Sequence, residues 1–178
     1  MGRESSHRKI ELAISGPSVH PITVVRVYQI KENLAAALST VFDLEWPLVP
    51  NRAASRPGVT VLWLSPQEWA VVGLEGAEVA ALSTRALAPS LYHVSVVTDA
   101  YVSFHVDGLH SRQLIAKGCS LDLHPLVFLP DSCAQSLLAG CFVILHRSAQ
   151  SDAFNIIVDT TLSQYFEAWL SDAGAQWV

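Results

Sequence analysis

The apolar residues of this chain switch between two periods. Residues 22–30, "ITVVRVYQI", are β-branched and alternate, which predicts a strand. In the following "KENLAAALSTVF", Leu34, Ala37, Leu38, Val41 and Phe42 fall at helical spacing. "EWPLVPNRAASRPG" carries three prolines and a glycine and reads as a loop. "VTVLWL" and "EWAVVGL" read as strands, "AEVAALSTRALAPS" as a helix ending near Pro89, and "YHVSVVT" as a strand. Between the two middle strands, Ser65, Pro66 and Glu68 have the spacing of a capped helical turn. The first half therefore reads strand, helix, strand, strand, helix, strand.

The second half repeats this order. "AYVSFHVDG" puts Tyr101, Ser103, His105 and Asp107 on one strand face and Val102, Phe104 and Val106 on the other. "LHSRQLIAKG" predicts a helix with Leu109, Leu114 and Ile115 on one face and Gly118 as its C-cap. Residues 119–123 read as an extended strand. "CFVILHR" and "AFNIIVD" are strands separated by the polar "SAQSD". "TTLSQYFEAWLSDAG" is an amphipathic helix, capped by Thr160 or Thr161 and ended by Gly174. Its inward residues are Leu162, Tyr165, Phe166, Trp169 and Leu170, and a short final strand, "AQWV", follows. The pattern predicts an α+β fold of two consecutive split β-α-β, ferredoxin-like halves with antiparallel sheets. Residues 1–20 read as a flexible tail and 21–178 as one domain, with halves near 21–98 and 99–178.

Composition narrows the function. Of 178 residues, 51% are apolar and 15% charged, below the roughly 25% charged of ordinary domains, which suggests apolar surface covered by a partner. A net charge of −5 offers no attraction to nucleic acid. No apolar run reaches the ~18 residues of a membrane helix. Cys119, Cys133 and Cys141 are odd in number and lack C-x-x-C spacing, so reduced thiols and a cytoplasmic location are expected.

Candidate chemistry is sparse. "LIAKGCSLDLHP" gathers Lys117, Cys119, Asp122 and His124, but alternation puts Cys119 on the opposite strand face from Asp122 and His124. A nucleophile needs its base within hydrogen-bond reach, so the segment reads as structural. His93, His105, His110 and His146 are scattered, and the polar face of residues 101–107 reads as solvated, with a pocket wall as its alternative. Trp46, in the proline-rich loop, is the expected exposed aromatic contact. No phosphate loop, zinc spacing or dinucleotide motif occurs, so no catalytic, cofactor-binding or metal residue is assigned.

"WLSPQEWAVVG", "LIAKGCSLDLHP", "CAQSLLAG", "VILHR" and "YFEAWL", in that order, resemble the gamma subunit of heterotetrameric sarcosine oxidase, across residues 59–173. That family is similar to the folate-binding aminomethyltransferases. The resemblance implies a non-catalytic subunit that assembles with and stabilises a large alpha subunit, alongside beta and delta subunits. It implies that FAD, FMN, NAD, tetrahydrofolate and zinc sit on other subunits. The complex would oxidise sarcosine to glycine and pass the one-carbon unit to tetrahydrofolate. The chain departs from the family at Val96, Val97 and Thr98, where relatives often carry Asp-x-Ser, and at Tyr101, Ser132 and Ser136. The alternatives are a stand-alone folate-binding aminomethyltransferase-like protein, for which only Asp99, Asp107 and Asp122 offer a carboxylate, and the equivalent subunit of an N-methylglutamate dehydrogenase. In the structural reading, Gln135 and Ser136 bond the backbone of "LIAKGCSLDLHP".

Overall fold

A computed structural model describes residues 10–29, 32–149 and 151–177. Among these residues ten strands form two five-stranded antiparallel sheets. One contains β2 (Ile22–Val27), β3 (Ala53–Arg56), β4 (Val59–Ser65), β5 (Glu68–Val72) and β6 (Tyr92–Val96), in the order β3-β4-β5-β2-β6. The other contains β7 (Tyr101–Asp107), β8 (Cys133–Leu138), β9 (Cys141–Arg147), β10 (Phe154–Asp159) and β1 (Ala13–Ser18), in the order β1-β7-β10-β9-β8. Helices α1 (Leu34–Phe42) and α2 (Gly76–Leu87) cover the first sheet; α3 (Ser111–Ala116) and α4 (Ser163–Gly174) cover the second. The α+β class and the antiparallel sheets agree with the sequence pattern.

The two sheets have the same order once β7, β8, β9 and β10 are laid over β2, β3, β4 and β5. The place of β6 in the second sheet is taken by β1, from the other end of the chain. β1 pairs antiparallel with β7, as β6 does with β2. This corrects two expectations. The flexible tail does not extend to residue 20: Leu12 is buried and residues 13–18 form a strand. Residues 1–9 lie outside the described residues. The final strand in "AQWV" is not formed over 175–177, because β1 already occupies its position.

Alternation decides which face each sheet buries. Val25, Val27, Val61, Trp69 and Val71 face α1 and α2, while Val102, Phe104, Val106, Ile156 and Val158 face α3 and α4. A third, smaller cluster lies where the sheets meet face to face. It is built from Ile22, Ala53, Leu62, Ala70, Cys133 and Ile157. Both sheets are thus apolar on both faces near their centres, which accounts for the low charged fraction without a partner.

Several local expectations are also corrected. Trp46 is 2% exposed, its ring centroid 4.9 Å from Phe42 and 5.8 Å from Trp69. The proline-rich loop folds inward there because Ser39 Oγ accepts from the Trp46 amide and Trp69 Nε1 donates to Pro47 O. The same loop contains strand β3. At Ser65 the chain makes a two-residue hairpin rather than a helical turn; the Gln67 amide donates to Ser65 Oγ at 3.4 Å, and Glu68 pairs with Arg26 instead of capping. In α4, Phe166, Leu170 and Gly174 are buried, whereas Leu162 and Tyr165 are exposed. Leu109 is exposed as well. Neither Thr160 nor Thr161 caps α4, which starts at Ser163 without a side-chain cap; Asp159 instead caps the short 3-10 turn Thr160–Leu162 before it, accepting from the Thr161 amide.

Candidate functional site

The segment "LIAKGCSLDLHP" forms no strand; Cys119 makes one isolated bridge to Leu138. Its polar residues serve the backbone. Asp122 Oδ1 accepts from the His124 amide at 2.8 Å, and His124 Nδ1 accepts from the Leu126 amide at 3.3 Å. Cys119 Sγ is buried and meets Ser136 Oγ at 3.6 Å. Gln135 Nε2 donates to Leu64 O, on the other sheet, at 2.9 Å. The expectation that Gln135 and Ser136 bond the backbone of this segment is therefore wrong: one ties the sheets together and the other meets a thiol. Lys117 lies over the Trp177 ring at 4.4 Å and donates to Ala173 O. Cys119, Asp122 and His124 thus each bond elsewhere and form no nucleophile–base pair.

Two arginines hold the long connection after α3 in place. Arg112 donates to Leu123 O at 2.6 Å and to Asp152 at 2.6 Å. Arg147, buried in β9, donates to Phe128 O at 2.6 Å and to Asp152 at 2.8 Å. The Arg112 guanidinium, with help from Arg147, holds the Asp152 carboxyl below the usual carboxylate range.

The sequence pattern makes Gly118 the C-cap of α3. It does not adopt a positive φ. A Cβ there would lie 2.6 Å from Trp169 Cζ2 and 3.0 Å from the Ala139 amide nitrogen, so close packing against α4 and the β8–β9 turn requires glycine.

A cavity between the sheets gathers three histidines, His20, His105 and His146. It measures about 320 Å³, and Leu62 and Ile157 of the inter-sheet cluster form part of its wall. Its polar wall comes from three neighbouring strands in register: His105 of β7 opposite Asn155 of β10, and Asn155 opposite His146 of β9. His105 Nδ1 lies 2.9 Å from Asn155 Oδ1, and Asn155 Nδ2 lies 3.5 Å from His146 Nδ1. His146 Nε2 faces Asp131 Oδ1 at 3.7 Å. His20 and Thr60 complete the opposite side. The polar face of β7 is therefore a pocket wall at Ser103 and His105, where the pattern favoured a solvated sheet. Asn155 and His20 carried no earlier assignment; the signal at Asn155 is a polar residue inside an otherwise apolar strand.

The remaining candidates are dispersed. His93 is exposed on β6 opposite Arg26. His110 stacks on Trp177 at 4.9 Å and pairs with Glu11 at 3.0 Å. Asp107 accepts from the Gly108 amide, and the Asp99 carbonyl accepts from Thr160 Oγ1. Burial pushes the Cys133 thiol up to about 11, against smaller opposing effects from the Trp63 carbonyl and Arg52. Burial likewise raises Cys141. Among the described residues no cluster of three His, Cys, Asp or Glu side chains is placed to hold a metal ion, and no helix is long and apolar enough to cross a membrane.

Comparison with known proteins puts this fold among relatives. The family model "Sarcosine oxidase, gamma subunit family" matches residues 28–176. A "Sarcosine oxidase subunit gamma" from Corynebacterium sp. (strain P-1) is 30% identical over 121 residues, covering 68% of this chain and 59% of the relative. A protein of the same name from Arthrobacter sp. is 27% identical over 79% of this chain and 67% of that one. A solved chain of the heterotetrameric sarcosine oxidase from Corynebacterium sp. U-96 superposes with a TM-score of 0.81 at 22% identity, covering 93% of this chain and 85% of that chain. The glycine cleavage system aminomethyltransferase T from Bartonella henselae shares the fold over 93% of this chain and 46% of its own, with a TM-score of 0.65 at 15% identity. The match to the family model begins just after β2 and runs from α1 through α4, across strands of both sheets, and on that ground the chain belongs to the sarcosine oxidase gamma subunit family.

Proposed function

We propose that the chain is a non-catalytic gamma subunit of a heterotetrameric sarcosine oxidase, working in the cytoplasm. It assembles with and stabilises the alpha subunit, beside beta and delta subunits. The observation that carries this reading is the family match over residues 28–176. In this reading FAD, FMN, NAD, tetrahydrofolate and zinc are held by the other subunits. The complex oxidises sarcosine to glycine and delivers the one-carbon unit to tetrahydrofolate.

The exposed apolar surface supports a protein partner and relocates the expected contact. Trp46 is buried and is withdrawn as the contact residue. Leu137 and Phe142 lie opposite each other across the β8–β9 pair, 48% and 82% exposed. Adjacent apolar side chains that remain in water in the isolated subunit favour burial on association, and an aromatic among them is the usual anchor. We therefore assign the alpha-subunit contact to this end of β8 and β9. Phe142→Glu should leave the fold intact, because the side chain is in solvent. It should reduce co-purification with the alpha subunit by about tenfold or more. Unchanged co-purification of a folded Phe142→Glu protein would contradict the assignment.

A further inference from the structure

We propose that the crevice between the sheets binds a small neutral molecule that presents an N–H or O–H donor on a short apolar or aromatic body, and that the lone pair of His105 Nε2 receives this donor. The site lies wholly on this chain, so the proposal stands apart from the assembly reading. It rests on the direction of the hydrogen bonds along the polar wall. Asp131, in the turn before β8, faces His146 Nε2 at 3.7 Å, and the two facing atoms are buried with no hydrogen-bond partner. Burial lowers the pKa of His146, so at neutral pH its ring carries one proton. On Nε2 that proton points at the carboxylate; on Nδ1 it would leave a lone pair facing a negative charge. The proton therefore sits on Nε2, and Nδ1 accepts. Its donor is Asn155 Nδ2 at 3.5 Å, which turns Asn155 Oδ1 toward His105. Oδ1 only accepts, so His105 Nδ1 donates across 2.9 Å. These tautomers follow from the network.

That direction determines what His105 offers. A neutral imidazole that donates at Nδ1 presents a lone pair at Nε2, and this nitrogen has no hydrogen-bond partner among the described residues. The Asp131 charge at the far end of the row polarises it toward that lone pair and strengthens the acceptor. Ser18 and Ser103 line the same space with hydroxyls, which turn to match a second polar atom. No Asp, Glu, Lys or Arg lines the crevice. An anion would set its own lone pairs against that of His105, and a cation would exchange its hydration for a wall without counter-charge. A wholly apolar molecule would strip water from the imidazole and hydroxyls without replacing its bonds. A neutral donor replaces the bond that water makes to Nε2. Leu62, Val72 and Ile157 offer an apolar floor for the rest of the molecule. The volume of about 320 Å³ lies near the small end of ligand pockets, ~300–1,000 Å³, which sets a single ring as the size class.

The test uses the full chain at pH 8 and four single-ring probes: phenol, anisole, benzoate and benzylamine. Anisole is phenol with the donor proton replaced by a methyl group; the other two carry the opposite charges. Nitrogen NMR of the histidine rings reads the tautomers directly, and titration reads binding. Free His105 should show its proton on Nδ1 and a bare Nε2. Phenol should bind saturably and move the His105 Nε2 signal, with anisole, benzoate and benzylamine each weaker by about fivefold or more. His105→Phe keeps a ring but removes the acceptor, and should bring phenol down to the affinity of anisole. His93→Ala, on the far strand β6, should change nothing. The tautomer and the wild-type comparison of the probes stand even if the His105 variant fails to fold. The proposal is overturned if free His105 carries its proton on Nε2, if phenol gives no saturable change, if any of the other three probes binds as tightly as phenol, or if folded His105→Phe binds phenol with unchanged affinity.

Discussion

Gly118 shows how one residue can be recognised for the wrong reason. Its position after α3 suggested a cap, but the backbone there is ordinary and the constraint comes from Trp169 and the Ala139 amide. Gly118→Ala should destabilise the fold by about 1–3 kcal/mol, the usual cost of overpacking, read as a lower urea midpoint. A midpoint equal to wild type would show that α4 can move aside. Which residues bring chemistry was only partly legible. His105 and Ser103 were recognisable as one polar strand face, because alternation is local. Their partners could not be found by spacing: strand pairing brings Asn155 and His146 to this face from some 40 to 50 residues away, and Asp131 reaches His146 from the turn before β8. Trp46 failed for a related reason. A proline-rich loop looks exposed, but Ser39 Oγ and the Pro47 carbonyl fold it onto Phe42 and Trp69.

At the scale of elements, the hairpins were the least legible feature. β8 went unrecognised because "CAQSLL" mixes buried and exposed positions, with Cys133 facing the other sheet and Leu138 facing α3 and α4. The turn that follows it is a two-residue connection, Ala139–Gly140, with φ of 54° and 79°. Two successive positive φ values mark the mirror-image turn that favours Asn-Gly. Alanine is strained at the first position, so Ala139→Asn should raise stability by about 0.5–1 kcal/mol, measured as a higher urea midpoint. A lower midpoint would mean that the Ala139 contacts with Gly118 and Tyr165 outweigh the backbone strain. β1 was hidden by a different cause. "AISGPS" is short, and Pro17 and Gly16 lie inside it, so only its place beside β7 makes it a strand. The repeat itself was readable, because strand and helix periods recur in the same order in both halves. That the missing sixth strand would come from the N-terminal end was not.

At the scale of the whole molecule, His146 couples the inter-sheet space to folding. Burial lowers its pKa below the ordinary 6.5, and the nearby Asp131 offsets this only in part. Below about pH 6.5 the unfolded chain therefore binds more protons than the folded one. Stability is fully present above that value and falls as the pH drops toward the folded-state pKa, with a slope approaching about 1.4 kcal/mol per pH unit. Urea midpoints should fall between about pH 7.5 and 5.5, and His146→Asn should flatten that slope. Equal slopes in the two proteins would remove His146 as the cause. Asp152 acts in the same direction at lower pH: its carboxyl is depressed below 3.8, so its contribution is present above that pH and lost only below it. We propose that this two-sheet domain helps assemble a complex and does not itself catalyse. The most direct measurement compares sarcosine-dependent peroxide production, and the yield of assembled complex, when the other three subunits are co-expressed with and without this chain. The expected result is a severalfold loss of assembled complex without it, and full turnover per assembled complex when it is present as Cys119→Ser. A complex that assembles and turns over equally well without the chain, or an isolated chain that passes a one-carbon unit to tetrahydrofolate unaided, would contradict the account.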